Sequence, residues 1–233
     1  MPNLSYETAL IVGAGSGLSA SLARLFAREG LRVALAARNS EKLASLCAAT
    51  GARAFACNAV EPDQVARLFS DVEAALGAPD VVVYNASGRA RGTLVELVPA
   101  EVERAIMVSA FGGFLVAREA AARMLPKGRG AILFTGASAS VKGYPQSSSF
   151  AMGKFALRGL AQSIARELAP QGIHVGHFVI DGAIRNPGRV EPPDRPDSML
   201  DPDAIAASYL SVLRQPRSAW TWEVELRPWV ERF

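Results

Sequence analysis

The stretch from Thr8 to Phe26, TALIVGAGSGLSASLARLF, constrains this chain more than any other. Leu10, Ile11 and Val12 form a short apolar run closed by Gly13, and from Ser16 onward Leu18, Leu22, Leu25 and Phe26 recur at helical spacing. That pattern predicts a buried strand, a tight glycine turn and a helix. Such a turn leaves bare N–H groups at a helix N-terminus, where a phosphate can approach without meeting a Cβ and is favoured by the helix dipole. Gly13, Gly15 and Gly17 carry the turn, with Ser16 between them and Leu18 opening the helix. The place of a last fingerprint glycine holds Ser19.

The same alternation continues downstream. Arg32–Ala37 reads as a second strand, and Ser40 as the cap of a helix beginning at Glu41. Arg53–Cys57 is a third strand, followed by a helix from Asp63 to Leu76 with Val65, Leu68, Phe69 and Val72 on one face. Asp80–Tyr84 (DVVVY) is a continuous apolar run of the kind buried on both sides in a parallel sheet, ended by Asn85-Ala86-Ser87-Gly88. A long helix is expected over Glu101–Leu125, accepting Gly112 and Gly113 for close packing. Ala131–Thr135 is a fifth strand, Ser148–Leu168 a second long helix, His174–Ile180 a sixth strand and Trp222–Leu226 a seventh. The expected fold is α/β, a doubly wound parallel sheet of roughly seven strands with helices on both faces. Arg185–Pro202, with five prolines, breaks the rhythm and is expected to be a lid over a substrate pocket or else a solvated excursion.

Length and composition narrow the function. A chain of 233 residues, half of them hydrophobic, suffices for one dinucleotide-binding domain over residues 1–233. The charge of +3 comes from scattered Arg and Lys without interleaved aromatics, so no nucleic-acid partner is indicated. Cys47 and Cys57 stand outside any metal-ligand spacing, and His174 and His177 cannot supply a zinc site alone, so no metal is expected. MPNLSYE lacks the features of a signal peptide, and no apolar run suggests a membrane span. The expectation is a cytoplasmic protein with no membrane association.

Taken in order, these residues resemble the short-chain dehydrogenase/reductase family, whose fold is Rossmann-like, over nearly the whole chain. GAGSGLS is similar to its TGxxxGxG turn, and Asn85-Ala86-Ser87-Gly88 to its NNAG motif. Asp181-Gly182 stands where the family has Pro-Gly, with Ile184 and Asn186 in the segment that meets the nicotinamide. The resemblance implies that Gly13, Gly15, Ser16, Gly17, Leu18, Asn85, Ala86, Gly182 and Ile184 bind a nicotinamide dinucleotide. The family's YxxxK motif is Phe150-Ala151-Met152-Gly153-Lys154 here. The lysine is kept, and its expected role is to hold the nicotinamide ribose, but phenylalanine has no proton to donate. Ser138 best matches the family's active-site serine, with Ser140 as the fallback, and Ser109 replaces its helix asparagine. Ser138, Tyr144, one of Ser147 to Ser149, or a water ordered by Lys154 are the candidates to deliver the proton, and no spacing singles one out.

Coenzyme preference follows from charge. Ala37 stands where NAD-users of the family carry aspartate, and Arg38 follows it, so NADP(H) is favoured and NAD(H) remains possible. The bland alternative for Arg38 is a surface pair with Glu41. The resemblance implies that Asn58, where the family commonly has aspartate after the third strand, hydrogen-bonds the adenine. The first functional expectation is an oxidoreductase moving hydride between nicotinamide and the carbonyl or activated alkene of a small molecule, with Ser138 polarising the substrate and Phe150 as an apolar wall. The alternative, motivated by the lost tyrosine and asparagine, is a dinucleotide-binding homologue acting as a sensor or as an inactive oligomer partner. By the same resemblance a homodimer or homotetramer is expected, packed through a small-residue stripe such as Ala117, Ala120 and Ala121.

Overall fold

The computed structural model describes residues 5–231. Seven strands form one parallel sheet in the order β3-β2-β1-β4-β5-β6-β7. They are β1 (Thr8–Val12), β2 (Arg32–Ala37), β3 (Arg53–Ala56), β4 (Val81–Tyr84), β5 (Gly130–Thr135), β6 (Ile173–Ile180) and β7 (Glu223–Leu226). The order reverses beside β1, where β2 lies on one side and β4 on the other. A crevice opens at such a switch point because successive crossovers leave in opposite directions. The doubly wound expectation is met.

Two apolar layers sandwich the sheet. One joins α3 (Pro62–Leu76), α5 (Gly112–Met124) and α6 (Ser148–Leu168) to Leu10, Val82 and Ile132. The other joins α1 (Leu18–Arg28) and α7 (Pro202–Leu213) to Ile11, Val83 and Leu133. Neighbouring residues on each central strand therefore serve opposite layers, which is why those strands read as unbroken apolar runs. Helix α6 is also tied to the sheet edge, where the Arg158 guanidinium donates to both carboxylate oxygens of Glu223 at 2.6 and 2.7 Å.

Several local expectations need correction. Residues 41–50 form a 3-10 turn (Glu41–Leu43) and then α2 (Ala44–Thr50). Ser40 makes no cap, and the Glu41 N–H donates instead to the Asn39 side-chain oxygen. The long helix is α4 (Pro99–Ile106), a π turn at Met107–Phe111, then α5. Inside the π turn the Val108 carbonyl accepts from the buried Tyr84 hydroxyl. Gly112 makes room, since a Cβ there would run into that hydroxyl, and one on Gly113 would lie 2.6 Å from Leu157. Pro99–Lys127 is, contrary to expectation, long and apolar enough to span a membrane by length and composition, with a mean hydropathy of 1.4. Its Leu115, Val116, Ala120 and Met124 are buried against the sheet.

The expected small-residue stripe for a twin subunit is corrected too. Ala117 and Ala120 lie buried in the chain's own core and Ala121 packs against it, because their shortness lets α5 approach the sheet closely. Phe114, Met152 and Phe155 are the apolar side chains that the two long helices expose. Residues 185–201 form no regular element, as expected, while Pro202, the last residue of the expected irregular stretch, already belongs to a helix. Helix α7, which follows and was not anticipated, has the Asp201 carboxylate accepting from the Asp203 N–H as its cap, with Pro202 in its first turn.

Candidate active site

The glycine turn is built by tertiary contacts. Gly13 has a φ of +85°, and a Cβ there would run into the Ala86 backbone, so the turn and the loop after β4 close on each other only with glycine at this point. The Ser19 hydroxyl donates to the Gly13 carbonyl at 3.2 Å and accepts from the Asn85 side-chain amide at 2.7 Å. Ser19 thus stitches α1 to both loops where the family uses a glycine. Gly15 faces open space, and α1 has no side-chain cap, so its first amides are left for a ligand.

From this turn a cleft of about 1200 Å³ runs over the carboxyl ends of the strands. Gly13, Gly15, Ser16, Arg38, Asn58, Asn85 and Ala86 line it, together with Asn39, Lys42, Arg89 and Arg104, which sequence reading had not singled out. Gly17, Leu18, Lys154, Gly182 and Ile184 do not line it. Leu18 and Ile184 belong to the apolar layer under α1, Gly17 faces Asn186, and Gly182 is pressed against Pro228. Among the described residues no ion pair engages Arg38, so the surface pair with Glu41 is not formed. Arg38 and Lys42 are both exposed at the end of the cleft beyond β2.

The catalytic candidates gather around α6. Lys154 is 3% exposed, and its ammonium donates to the Thr135 carbonyl at 2.7 Å. Burial, and then the charge of Arg89, pull its pKa down to about 8. Its Nζ lies 5.8 Å from the centre of the Phe150 ring, and the Arg89 guanidinium lies 3.9 Å from the same point. The ring therefore stands beside two cations. Ser138 opens a short 3-10 turn after β5, is half-buried and makes no side-chain hydrogen bond among the described residues. Ser140, the fallback, is fully buried and accepts from the Ala137 N–H at 3.1 Å. Geometry favours Ser138 as the free hydroxyl.

Ser109 is engaged differently from expectation. Buried in the π turn, its hydroxyl accepts from the Gly88 N–H at 3.0 Å and donates to the Gly88 carbonyl at 3.4 Å. Gly88 sits tightly on α4, since a Cβ there would lie 2.6 Å from the Ala105 Cα. Ser109 holds the loop after β4 rather than reaching the cleft. Farther out, Asp181 is 3% exposed and its carboxylate accepts from the Lys142 ammonium at 3.0 Å, a pair that fills the site of the family's proline.

Comparison with known proteins agrees with this geometry. Residues 7–187 match the short chain dehydrogenase family model. A protein called short chain aldehyde dehydrogenase 1, from Euphorbia lathyris, is 30% identical over 178 residues, which cover 74% of this chain and 62% of that protein's length. The crystal structure of a short-chain dehydrogenase from Rhodopseudomonas palustris is 36% identical, with a TM-score of 0.82 over 96% of this chain and 99% of that one. A metagenomic short-chain oxidoreductase solved in complex with NADP is 29% identical, with a TM-score of 0.81 over 95% and 97% of the two chains. With the switch-point cleft, the glycine turn and the family match spanning most of its length, this chain belongs to the short-chain dehydrogenase family of oxidoreductases.

Proposed function

We propose that the protein is an NADP(H)-dependent oxidoreductase that moves hydride between the nicotinamide and the carbonyl or activated alkene of a small molecule. The observation that carries this reading is Lys154, a cation kept buried near the cleft at an energetic cost that its hydrogen bond to Thr135 repays only in part. The residues present suit the coenzyme. The Gly13 and Ala14 amides are spent on the Ala36 carbonyl, so those of Gly15 and Ser16, which line the cleft, would take the pyrophosphate, Asn58 the adenine, and Arg38 with Lys42 a 2′-phosphate. Lys154 would hold the nicotinamide ribose with the N–H groups not given to Thr135. The nicotinamide, when bound, supplies or accepts the hydride. Ser138 would polarise the reacting oxygen, and Phe150 would exclude water beside it. Residues 185–202 would close over the substrate, and the exposed Phe114, Met152 and Phe155 would meet a second copy of the chain in a homodimer or homotetramer.

Fluorescence titration of the pure protein with NADPH and then NADH tests the first step. Tighter binding of NADPH is expected, with the preference reversed in Arg38→Asp. No binding of either coenzyme at physiological concentration would end the reading. A second reading, a dinucleotide-binding homologue without turnover, is favoured by Phe150 and by the engagement of the Ser109 hydroxyl with Gly88. NADPH consumption with ketones, aldehydes or enones that disappears in Lys154→Ala would exclude it.

A further inference from the structure

Arg89 is the least expected member of the site, and its main chain is pinned on both sides. Two serines from different helices clasp the peptide groups on either side of it. Ser109 takes both the N–H and the carbonyl of Gly88, and Ser149, fully buried at the start of α6, takes both the N–H (3.0 Å) and the carbonyl (2.7 Å) of Ala90. A hydroxyl is one donor and two acceptors, so each serine can satisfy a whole residue's backbone. The clasps fix the main chain at Arg89, and its exposed side chain lies with the guanidinium 3.9 Å from the Phe150 ring centre.

The surroundings of Arg89 are cationic. Arg91 and Arg189 act on it, and it in turn acts on Lys154. Among the described residues, none of Arg89, Arg91 and Arg189 has a carboxylate partner. Burial first, then the charges of Arg91 and Arg189, hold the guanidinium of Arg89 below its ordinary range. Arg189 is brought there by a tight turn in which Asn186 and Arg189 exchange backbone hydrogen bonds at 3.1 and 2.9 Å, and the Asn186 side chain packs beside Gly17. All three arginines reach solvent, and a cluster of positive charge without a carboxylate among it attracts an anion from solution.

We propose that Arg89, supported by Arg189, binds a carboxylate of the substrate beside Phe150, so that the small molecule reduced or oxidised here is an acid. The inference rests on the oxidoreductase reading for the word substrate, but the anion site stands on its own geometry. An arginine whose face is taken by an aromatic ring still presents its in-plane N–H groups, and that fork matches the two oxygens of a carboxylate. The ring replaces the family's tyrosine, so the loss of a proton donor and the gain of an anchored cation belong to one rearrangement of the pocket.

The test uses a panel of carboxylates from acetate, pyruvate and benzoate to phenylglyoxylate, each paired with its neutral amide or methyl ester. Binding is followed by saturation-transfer NMR with and without NADP+, alongside NADPH titration of the wild type, Arg89→Met, Arg89→Lys and Arg189→Met. At least one acid should bind about tenfold better than its neutral partner. That advantage should vanish in Arg89→Met and shrink in Arg89→Lys and Arg189→Met, with NADPH affinity and melting temperature unchanged. Acid preference that persists without coenzyme in a protein unable to bind NADPH would retain the anion site while removing the oxidoreductase reading. If no acid is preferred, or if Arg89→Met loses NADPH affinity because the anion is a coenzyme phosphate, the proposal is overturned.

Discussion

Replacing Lys154 with methionine separates what the ammonium costs the fold from what it contributes to coenzyme binding. Its pKa falls from 10.5 to about 8 because the charge is buried and faces Arg89. At neutral pH that drop corresponds to roughly 3 kcal/mol of destabilisation of the folded state. The hydrogen bond to Thr135, lost with the lysine, returns about 1 to 2 kcal/mol of it. Without ligand, Lys154→Met should therefore be more stable than the wild type by about 1 to 2 kcal/mol, a rise of about 3 to 6 °C in melting temperature for a chain of this size. The unfolded lysine keeps its proton to higher pH than the folded one, so between about pH 8 and the unfolded pKa the unfolded state binds more protons and wild-type stability rises with pH. The advantage of the variant should accordingly shrink as pH climbs from 7 to about 10. Tyr84 and Cys57, which burial holds above rather than below their ordinary values, titrate in both proteins and cancel in the difference. Differential scanning calorimetry at several pH values measures this, and NADPH titration should show about a tenfold loss of affinity in the variant. Equal melting temperatures at pH 7, or a gap that does not change with pH, would refute the argument that Lys154 is a buried charge kept for a ligand.

Other perturbations probe different parts of the site. Phe150→Tyr places a hydroxyl at the ring beside Lys154, and NADPH-dependent turnover of a ketone panel should rise by about tenfold to a thousandfold if proton donation limits the rate. Ser19→Gly restores the family's glycine but removes the bonds to Gly13 and Asn85 and adds a flexible residue to the first turn of α1. Urea denaturation should show it less stable by about 2 kcal/mol. Gly13→Ala forces a side chain into the Ala86 backbone at positive φ. A loss of about 3 kcal/mol or more is expected, together with NADPH binding, and a variant of wild-type stability would show that the turn can relax.

Much of this architecture was legible because it is written in local chemistry. Arg32–Ala37 and Ser148–Leu168 have the bounds that apolar period and flanking breakers predict, and Gly112 and Gly113 serve the close packing expected of them. Helix α7 was legible too and went unread, since Asp201-Pro202 is an N-terminal signal hidden at the end of a proline-rich stretch. The order of motifs along the chain likewise pointed to a nucleotide crevice and to the residues of its phosphate end.

The orientation of the parts was settled only in three dimensions. No period distinguishes an alanine stripe facing a twin from one facing the chain's own sheet, and Ala117 and Ala120 took the second course because β4 and α6 lie under α5. Ser19 looks like a lost glycine until Asn85, distant in sequence, meets its hydroxyl. Arg89 has no motif at all, and its position depends on Ser109 and Ser149 holding its neighbours Gly88 and Ala90 from two other helices. Strands and helices are specified by neighbours within a few residues, whereas a side chain's aim is specified by whatever the fold brings against it. For that reason the amino-acid order determined the family's scaffold and its turn, while the pocket that replaces the tyrosine was decided by tertiary packing.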